Sequence, residues 1–143
     1  MNCRWLAVAL VLCACAAVGW GQRRPIPRLP SRSQICRLMQ DRSFVRRQVR
    51  CALGQQGACE RIPQLQRRTA TFLRNAIPAA LGVGECDFCT RDDLQKVRLV
   101  MAEMNTRYPE ESQMLLSAYD NEINQFANGQ EVLQARLQLR EGC

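Results

Sequence analysis

The sequence predicts an all-α fold, a compact single domain of about six or seven helices. The chain has 143 residues, enough for one hydrophobic core and too few for two. From residue 34 onward, apolar residues recur at the spacing of a helix face, and no run of β-branched residues alternates with polar ones. These two observations together favour helices packed around one core.

The first 21 residues have the pattern of a signal peptide, so we expect a secreted, extracellular protein. A basic start at residues 1–4 precedes an apolar run, Trp5–Val18, and the small residues Gly19 and Gly21 suit cleavage. The run is shorter than the roughly 20 residues that span a bilayer, which makes a retained anchor the weaker interpretation. Residues 22–33 hold three prolines and four arginines, and we expect a flexible, solvated tail there.

Apolar spacing places the first helices on either side of residue 40. Two short helices before Cys51 are indicated by Leu38, Met39, Phe44, Val45 and Val49. A longer helix is predicted over roughly Leu65 to Ala76, because Pro78 disfavours the helical conformation at the residue before it.

The clearest helix follows Cys89. Thr90 is a suitable N-cap, and Asp92 and Asp93 stand in the first turn, where carboxylates meet the positive end of the helix dipole. One apolar stripe then runs along the helix: Leu94, Val97, Val100, Met101, Met104 and Tyr108. Pro109 stops this helix and begins the next one.

The last segment continues the helical spacing as a C-terminal extension over residues 121–143. The inner face of the helix after Pro109 is predicted to consist of Met114, Leu115, Ala118 and Tyr119. The stripe continues with Ile123, Phe126, Leu133 and Leu137, and a break is expected at Asn128-Gly129.

Composition excludes most enzyme classes. The chain contains no histidine, so histidine-based nucleophiles, general bases and metal sites are excluded. We therefore expect a protein that is not an enzyme and that needs no cofactor or metal.

Charge is distributed unevenly along the mature chain. Residues 22–78 carry 13 arginines and two acids, whereas residues 79–143 carry six basic residues and 11 acids. The basic half predicts attraction to an anionic surface or receptor, unless the acidic half pairs with it. Aromatic residues that could stack on bases are few, so nucleic acid is not an expected partner.

Six of the nine cysteines lie after the predicted signal peptide: Cys36, Cys51, Cys59, Cys86, Cys89 and Cys143. An even number in an oxidising compartment indicates disulfides, and six cysteines allow fifteen pairings. Zinc or redox chemistry at Cys86-x-x-Cys89 is the weaker interpretation. Zinc needs a second close pair, which Cys51 and Cys59 are too far apart to supply, and a redox pair normally needs a βαβ unit.

The order of these residues resembles the arthropod chemosensory proteins, the OS-D-like family of insect odorant-binding proteins. The resemblance covers about Gln34 to Asp120. It includes two cysteines a few residues apart, a spacer, Cys86-Asp87-Phe88-Cys89, and then Tyr108-Pro109 and Tyr119-Asp120 in register. The segment Leu73-Arg74-Asn75-Ala76-Ile77-Pro78-Ala79-Ala80-Leu81 is similar to the family's Leu-Lys-x-x-Leu-Pro-x-Ala-Leu.

The resemblance implies a non-enzymatic carrier whose helices surround an apolar ligand channel and are braced by two short-loop disulfides, Cys51–Cys59 and Cys86–Cys89. Its ligands would be small hydrophobic molecules such as odorants, pheromone-like compounds or fatty-acyl molecules, with Arg74 placed to contact a carboxylate head. The expected ligand-binding residues are Phe44, Val45, Arg74, Val97, Val100, Met101, Met104, Leu115 and Tyr119. The alternative is a cationic secreted interaction or host-defence protein that acts through its Arg-rich N-terminal half.

The chain also departs from the family pattern. The spacer between Cys59 and Cys86 is longer, at 26 residues. Glu111 and Ser112 replace a tryptophan, and Gln48 replaces a tyrosine. Cys36 and Cys143 lie outside the pattern; they either form a third bridge within a monomer or leave a free thiol through which the protein dimerises.

Overall fold

The computed structural model describes residues 28–125, residue 131 and residues 142–143. Within these ranges the regular structure consists of six helices and no strand: α1 (Arg32–Leu38), α2 (Arg42–Ala52), α3 (Gln64–Leu81), α4 (Arg91–Arg107), α5 (Pro109–Ser117) and α6 (Asp120–Gln125). The predicted all-α class and single compact domain are therefore confirmed for the described part of the chain.

Local side-chain chemistry determines where α4 and α5 begin. The Thr90 hydroxyl accepts a hydrogen bond from the Asp93 backbone N–H, and the Asp93 carboxylate accepts one from the Thr90 backbone N–H. This reciprocal pair satisfies two N–H groups at the helix start. Pro109 occupies the first turn of α5, directly after Tyr108 ends α4. Both predicted helix starts are confirmed.

The predicted end of α3 is wrong, because the helix continues through Pro78 to Leu81. Proline has no N–H, so the carbonyl of Arg74, four residues earlier, loses its helical donor. The Tyr119 hydroxyl donates a 2.7 Å hydrogen bond to that carbonyl instead. Gly82 caps the helix directly after Leu81, and its φ of 79° is in the left-handed region that favours glycine.

Packing places α3 and α4 at the centre of the molecule. α3 contacts both α2 and α4, and α5 packs against α4. Small residues of α3 are completely buried, namely Ala70, Ala76 and Ala80, and they allow close approach of the neighbouring helices. Val97 of α4 is likewise completely buried.

The predicted tail over residues 22–33 is wrong at its C-terminal end. Leu29 is only 8% exposed and belongs to the core, and α1 begins at Arg32 with Ser31 as its N-cap. Burial of the Leu29 side chain stabilises a packed position for this residue, although the surrounding sequence is polar and rich in proline. The predicted signal peptide, the rest of the tail, and the expected break at Asn128-Gly129 lie outside the described residues.

Three disulfides join the six cysteines of the described residues. Cys51–Cys59 and Cys86–Cys89 close short loops, as the resemblance implies. Cys36–Cys143 joins residues 107 positions apart, which resolves the pairing that the sequence left open. The chain end is also held by hydrogen bonds: the backbone N–H of Cys143 donates to Glu103 Oε1 at 2.6 Å, and Arg32 donates to the Gly142 carbonyl at 3.1 Å.

Candidate functional site

An apolar cavity of about 80 Å³ lies between the helices. Residues 29 and 30 and the helices α1 to α5 line it, and α2 contributes the largest group: Phe44, Val45, Gln48, Val49 and Ala52. Pockets for drug-sized molecules measure about 300 Å³ or more. The cavity therefore encloses only part of such a molecule unless neighbouring helices separate.

Seven of the nine predicted ligand-binding residues line this one cavity: Phe44, Val45, Val97, Val100, Met101, Met104 and Leu115. They come from α2, α4 and α5, and the fold brings them together because each lies on the inner face of its helix. Contact with a ligand stays a prediction for these seven residues, but their convergence is a property of the fold.

Arg74 and Tyr119 are not part of the lining. Adjacent positions of a helix point about 100° apart, so Leu73 faces the cavity while Arg74 lies exposed beside it. The Tyr119 hydroxyl donates its hydrogen bond to the Arg74 carbonyl. Burial raises the pKa of Tyr119 to about 12, so the hydroxyl keeps its proton at neutral pH.

Sequence reasoning missed several lining residues, of which Gln48 is the most informative. Gln48 follows Val45 by three positions and Phe44 by four, so the three share one face of α2. This spacing could have indicated Gln48 as a lining residue, but a polar side chain is not expected in an apolar stripe. Ile77 also lines the cavity, and it was missed because the predicted α3 ended at Ala76, one residue before it and five residues before the actual end.

Two polar side chains line the cavity, Gln48 and Thr69. The Thr69 hydroxyl donates to the Leu65 carbonyl at 3.1 Å within α3. Gln48 Nε2 donates to Gln66 Oε1 at 3.2 Å, whereas the buried Gln48 Oε1 accepts no hydrogen bond from the described residues. That oxygen has almost no accessible surface, so it lies within the cavity wall and is not open to the cavity.

An ion pair joins the cavity wall α2 to α5. Arg46 Nε donates to Glu111 Oε1 at 2.6 Å, with the Glu111 side chain 7% exposed and the Arg46 side chain 47% exposed. The hydrogen bond from Arg46 lowers the pKa of the Glu111 carboxyl, against the opposing effect of burial. The same hydrogen bond raises the pKa of Arg46. From the sequence, Glu111 stood out only because it replaces a tryptophan of the family pattern, so its ion pair with Arg46 is an addition.

The basic half of the sequence forms exposed helix surface. The exposed arginines of α2 and α3 are Arg42, Arg46, Arg47, Arg50, Arg67, Arg68 and Arg74. They stand on the outer sides of these helices, since the apolar sides cover the cavity. A cationic surface and an apolar cavity therefore occupy opposite faces of α2.

No known protein-family model, curated protein or solved structure matches the chain. The resemblance to chemosensory proteins accordingly rests on the residues quoted for it. Among the described residues, no helix is both long enough and apolar enough to cross a membrane.

Proposed function

We propose that the protein is a secreted, non-enzymatic carrier, similar to chemosensory proteins, that holds small hydrophobic ligands between its helices. The observation that carries this proposal is the cavity, where apolar side chains of five helices converge and which includes most of the residues expected to bind a ligand. Burial supplies the affinity. At about 25 cal/mol per Å², hiding roughly 300 Å² of ligand contributes on the order of 7 kcal/mol before ordering costs.

The small size of the cavity defines how such a ligand enters. Because the accessible volume is about 80 Å³, well below that of a pocket for a drug-sized molecule, we expect a wall to move outward when such a ligand binds. Met39, Met101 and Met104 line the cavity, and methionine side chains adapt to guests of different shape. A carrier built in this way binds several ligands with modest, micromolar affinity.

A fluorophore titration tests the proposal. N-phenyl-1-naphthylamine should bind the folded, oxidised protein saturably and be displaced by medium-chain apolar compounds. Ala52→Leu adds three carbon atoms to the cavity wall and should weaken fluorophore binding by about tenfold, because the added side chain takes up the space that the guest needs.

Ala102→Leu is the matched control. Ala102 is buried in α4 but does not line the cavity, so the same change there should leave fluorophore affinity near that of the wild type. Circular dichroism establishes that each variant folds. Absence of saturable binding to the wild type would contradict the carrier proposal, and unchanged binding by Ala52→Leu would exclude this cavity as the site.

The exposed arginines favour a second candidate, a cationic interaction or host-defence protein that acts on an anionic surface. Vesicles containing phosphatidylserine separate the two functions. Contacts through Arg46, Arg47 and Arg50 should weaken steeply between low and physiological salt, whereas fluorophore binding in the cavity should hardly change. Vesicle binding that Arg47→Gln and Arg50→Gln together abolish, without cavity binding, would favour this second function.

A further inference from the structure

A surface groove of about 410 Å³ adjoins the apolar cavity. It lies between α1 and the first turns of α3, and Pro30, Leu38 and Thr69 line both the groove and the cavity. Leu38 is 36% exposed, so the lining of the cavity reaches the protein surface at this point. The groove therefore offers room for the part of a ligand that the small cavity does not enclose.

The apolar side of the groove continues the surface of the cavity. Leu65, which is 69% exposed, lines the groove together with Leu38. A single exposed leucine is ordinary on a protein surface, whereas exposed apolar side chains that meet in one concave site indicate apolar binding. An alkyl chain that emerges from the cavity past Leu38 therefore remains against an apolar surface.

The charged side of the groove is cationic. Arg28 and Arg37 line it, both are exposed, and no acidic residue of the described chain is part of the lining. Neither arginine side chain forms an ion pair or a hydrogen bond with another described residue. A guanidinium group fits a carboxylate through two parallel hydrogen bonds, so the two arginines are suited to bind an anionic group next to the cavity.

We propose that the protein binds fatty acids, with the carboxylate held by Arg28 and Arg37 in the groove and the alkyl chain running past Leu38 into the apolar cavity. This inference rests on the carrier function proposed above and names the class of ligand and its head-group site. A carboxylate in the groove stays in contact with water and avoids the desolvation cost that it would meet inside the cavity. Arg74 lines neither the cavity nor the groove, so it does not hold the head group.

Two isomers test the proposal by displacement of N-phenyl-1-naphthylamine. Decanoic acid and methyl nonanoate have the same formula, but only the acid is ionised at neutral pH. For the wild-type protein, the affinity for decanoate should fall by about threefold between low and physiological salt, because the head group lies in an exposed, cationic site. The affinity for the neutral ester should hardly change.

Variants assign the head group to the groove. Arg28→Gln and Arg37→Gln together should weaken decanoate binding by about fivefold, the modest effect expected for two exposed ion pairs, and leave binding of the ester unchanged. Arg47→Gln with Arg50→Gln is the matched control, since it removes the same charge from exposed positions of α2 that line neither space. This control should bind decanoate like the wild type.

A third variant tests the position of the alkyl chain. Ala52→Leu narrows the cavity without changing the groove, so it should weaken binding of the acid and of the ester alike. Weaker binding of the ester alone would show that the acid does not enter the cavity, and would overturn the proposal.

The outcomes distinguish this inference from the carrier function. Decanoate binding that Arg28→Gln with Arg37→Gln leaves unchanged, or that both double variants weaken equally, would overturn the head-group site while leaving the carrier intact. Failure of decanoate to displace a bound fluorophore would do the same. Absence of saturable fluorophore binding overturns the carrier and this inference together. If the groove variant does not fold, the wild-type salt response decides, and an equal response of both isomers overturns the proposal.

Discussion

Two of the helices that line the cavity, α1 and α2, are fastened in different ways. α1 is tied to parts of the molecule distant in sequence: Cys36 bonds to Cys143, and the carbonyl of Met39, the residue after α1, accepts a 2.6 Å hydrogen bond from the Tyr108 hydroxyl. The disulfide of α2, Cys51–Cys59, spans only eight positions and reaches the loop that follows the helix.

This difference indicates which wall can move. α2 is held to the rest of the molecule by packing, by the Gln48–Gln66 hydrogen bond and by the ion pair between the half-exposed Arg46 and the buried Glu111. Packing contacts, hydrogen bonds and an ion pair are non-covalent and can be exchanged for contacts with a guest or with water, whereas a disulfide cannot. We therefore expect a ligand to enlarge the cavity by displacing α2, with α1 and α4 acting as the fixed side.

Removal of the long-range disulfide should have the largest effect on stability. In the chain-entropy description, a bridge that closes a loop of about 100 residues contributes roughly 5 kcal/mol, against about 2.5 kcal/mol for a loop of about eight. The double variant Cys36→Ser, Cys143→Ser should thus lose about twice as much unfolding free energy as Cys51→Ser, Cys59→Ser. Urea unfolding monitored by circular dichroism measures both.

The Cys86–Cys89 bridge is the control for local loops, and its removal by serine should cost about 2 kcal/mol or less. An equal or smaller loss from the Cys36–Cys143 pair than from either local bridge would contradict the distinction between the two walls.

Substitution of Tyr108 by phenylalanine should have a smaller effect, confined to the α1 side. The change removes the donor to the Met39 carbonyl and leaves that carbonyl unpaired beside a buried ring, at a cost of about 1 to 2 kcal/mol. Hydrogen exchange should quicken in α1 and not in α2.

Tyr119→Phe is the matched control for Tyr108→Phe. It removes the same chemical group from the Arg74 carbonyl in α3, so it should cost a similar amount and leave exchange in α1 unchanged. Unchanged exchange in α1 with Tyr108→Phe would show that the Tyr108 hydrogen bond does not hold this helix, and faster exchange in α1 with Tyr119→Phe would show that the effect is not specific to that bond.

Prediction from sequence worked where neighbouring residues decide the structure. Thr90 with Asp93 begins α4, and Pro109 begins α5, because caps and proline act within one turn of the chain. It failed at Pro78, where the donor to the freed Arg74 carbonyl comes from Tyr119, 45 residues away. No local pattern contains that partner.

The candidate site was predictable to the extent that it is apolar. Residues such as Val97 and Met101 belong to a clear helical stripe, so their position in the cavity follows from periodicity. Gln48 and Leu29 lie in the lining against the expectation from their surroundings, one because it is polar and the other because it follows a Pro/Arg-rich segment. The Cys36–Cys143 pairing depends on the path of the whole chain, which six cysteines alone do not define.

Low pH should weaken the ion pair that joins α2 to α5, and this is the smallest effect that we expect. The folded pKa of Glu111 lies below its ordinary value because of the hydrogen bond from Arg46. A lowered folded pKa means that the stabilisation is complete above the unfolded pKa, about 4.3, and is lost as pH falls through the folded value. Thermal unfolding from pH 7 to pH 3 should therefore show a steeper fall in Tm for the wild type than for Glu111→Gln.

Glu110→Gln is the control for acid release, since Glu110 neighbours Glu111 but is exposed. It should keep the wild-type slope of Tm against pH. If α2 is the wall that moves, the wild type should also bind N-phenyl-1-naphthylamine more tightly in acid as the closed form loses its ion pair, and Glu111→Gln should show no such change. A wild-type slope in Glu111→Gln, or tighter acid binding in both proteins, would place the movement elsewhere, because neither result could then depend on the Arg46–Glu111 pair.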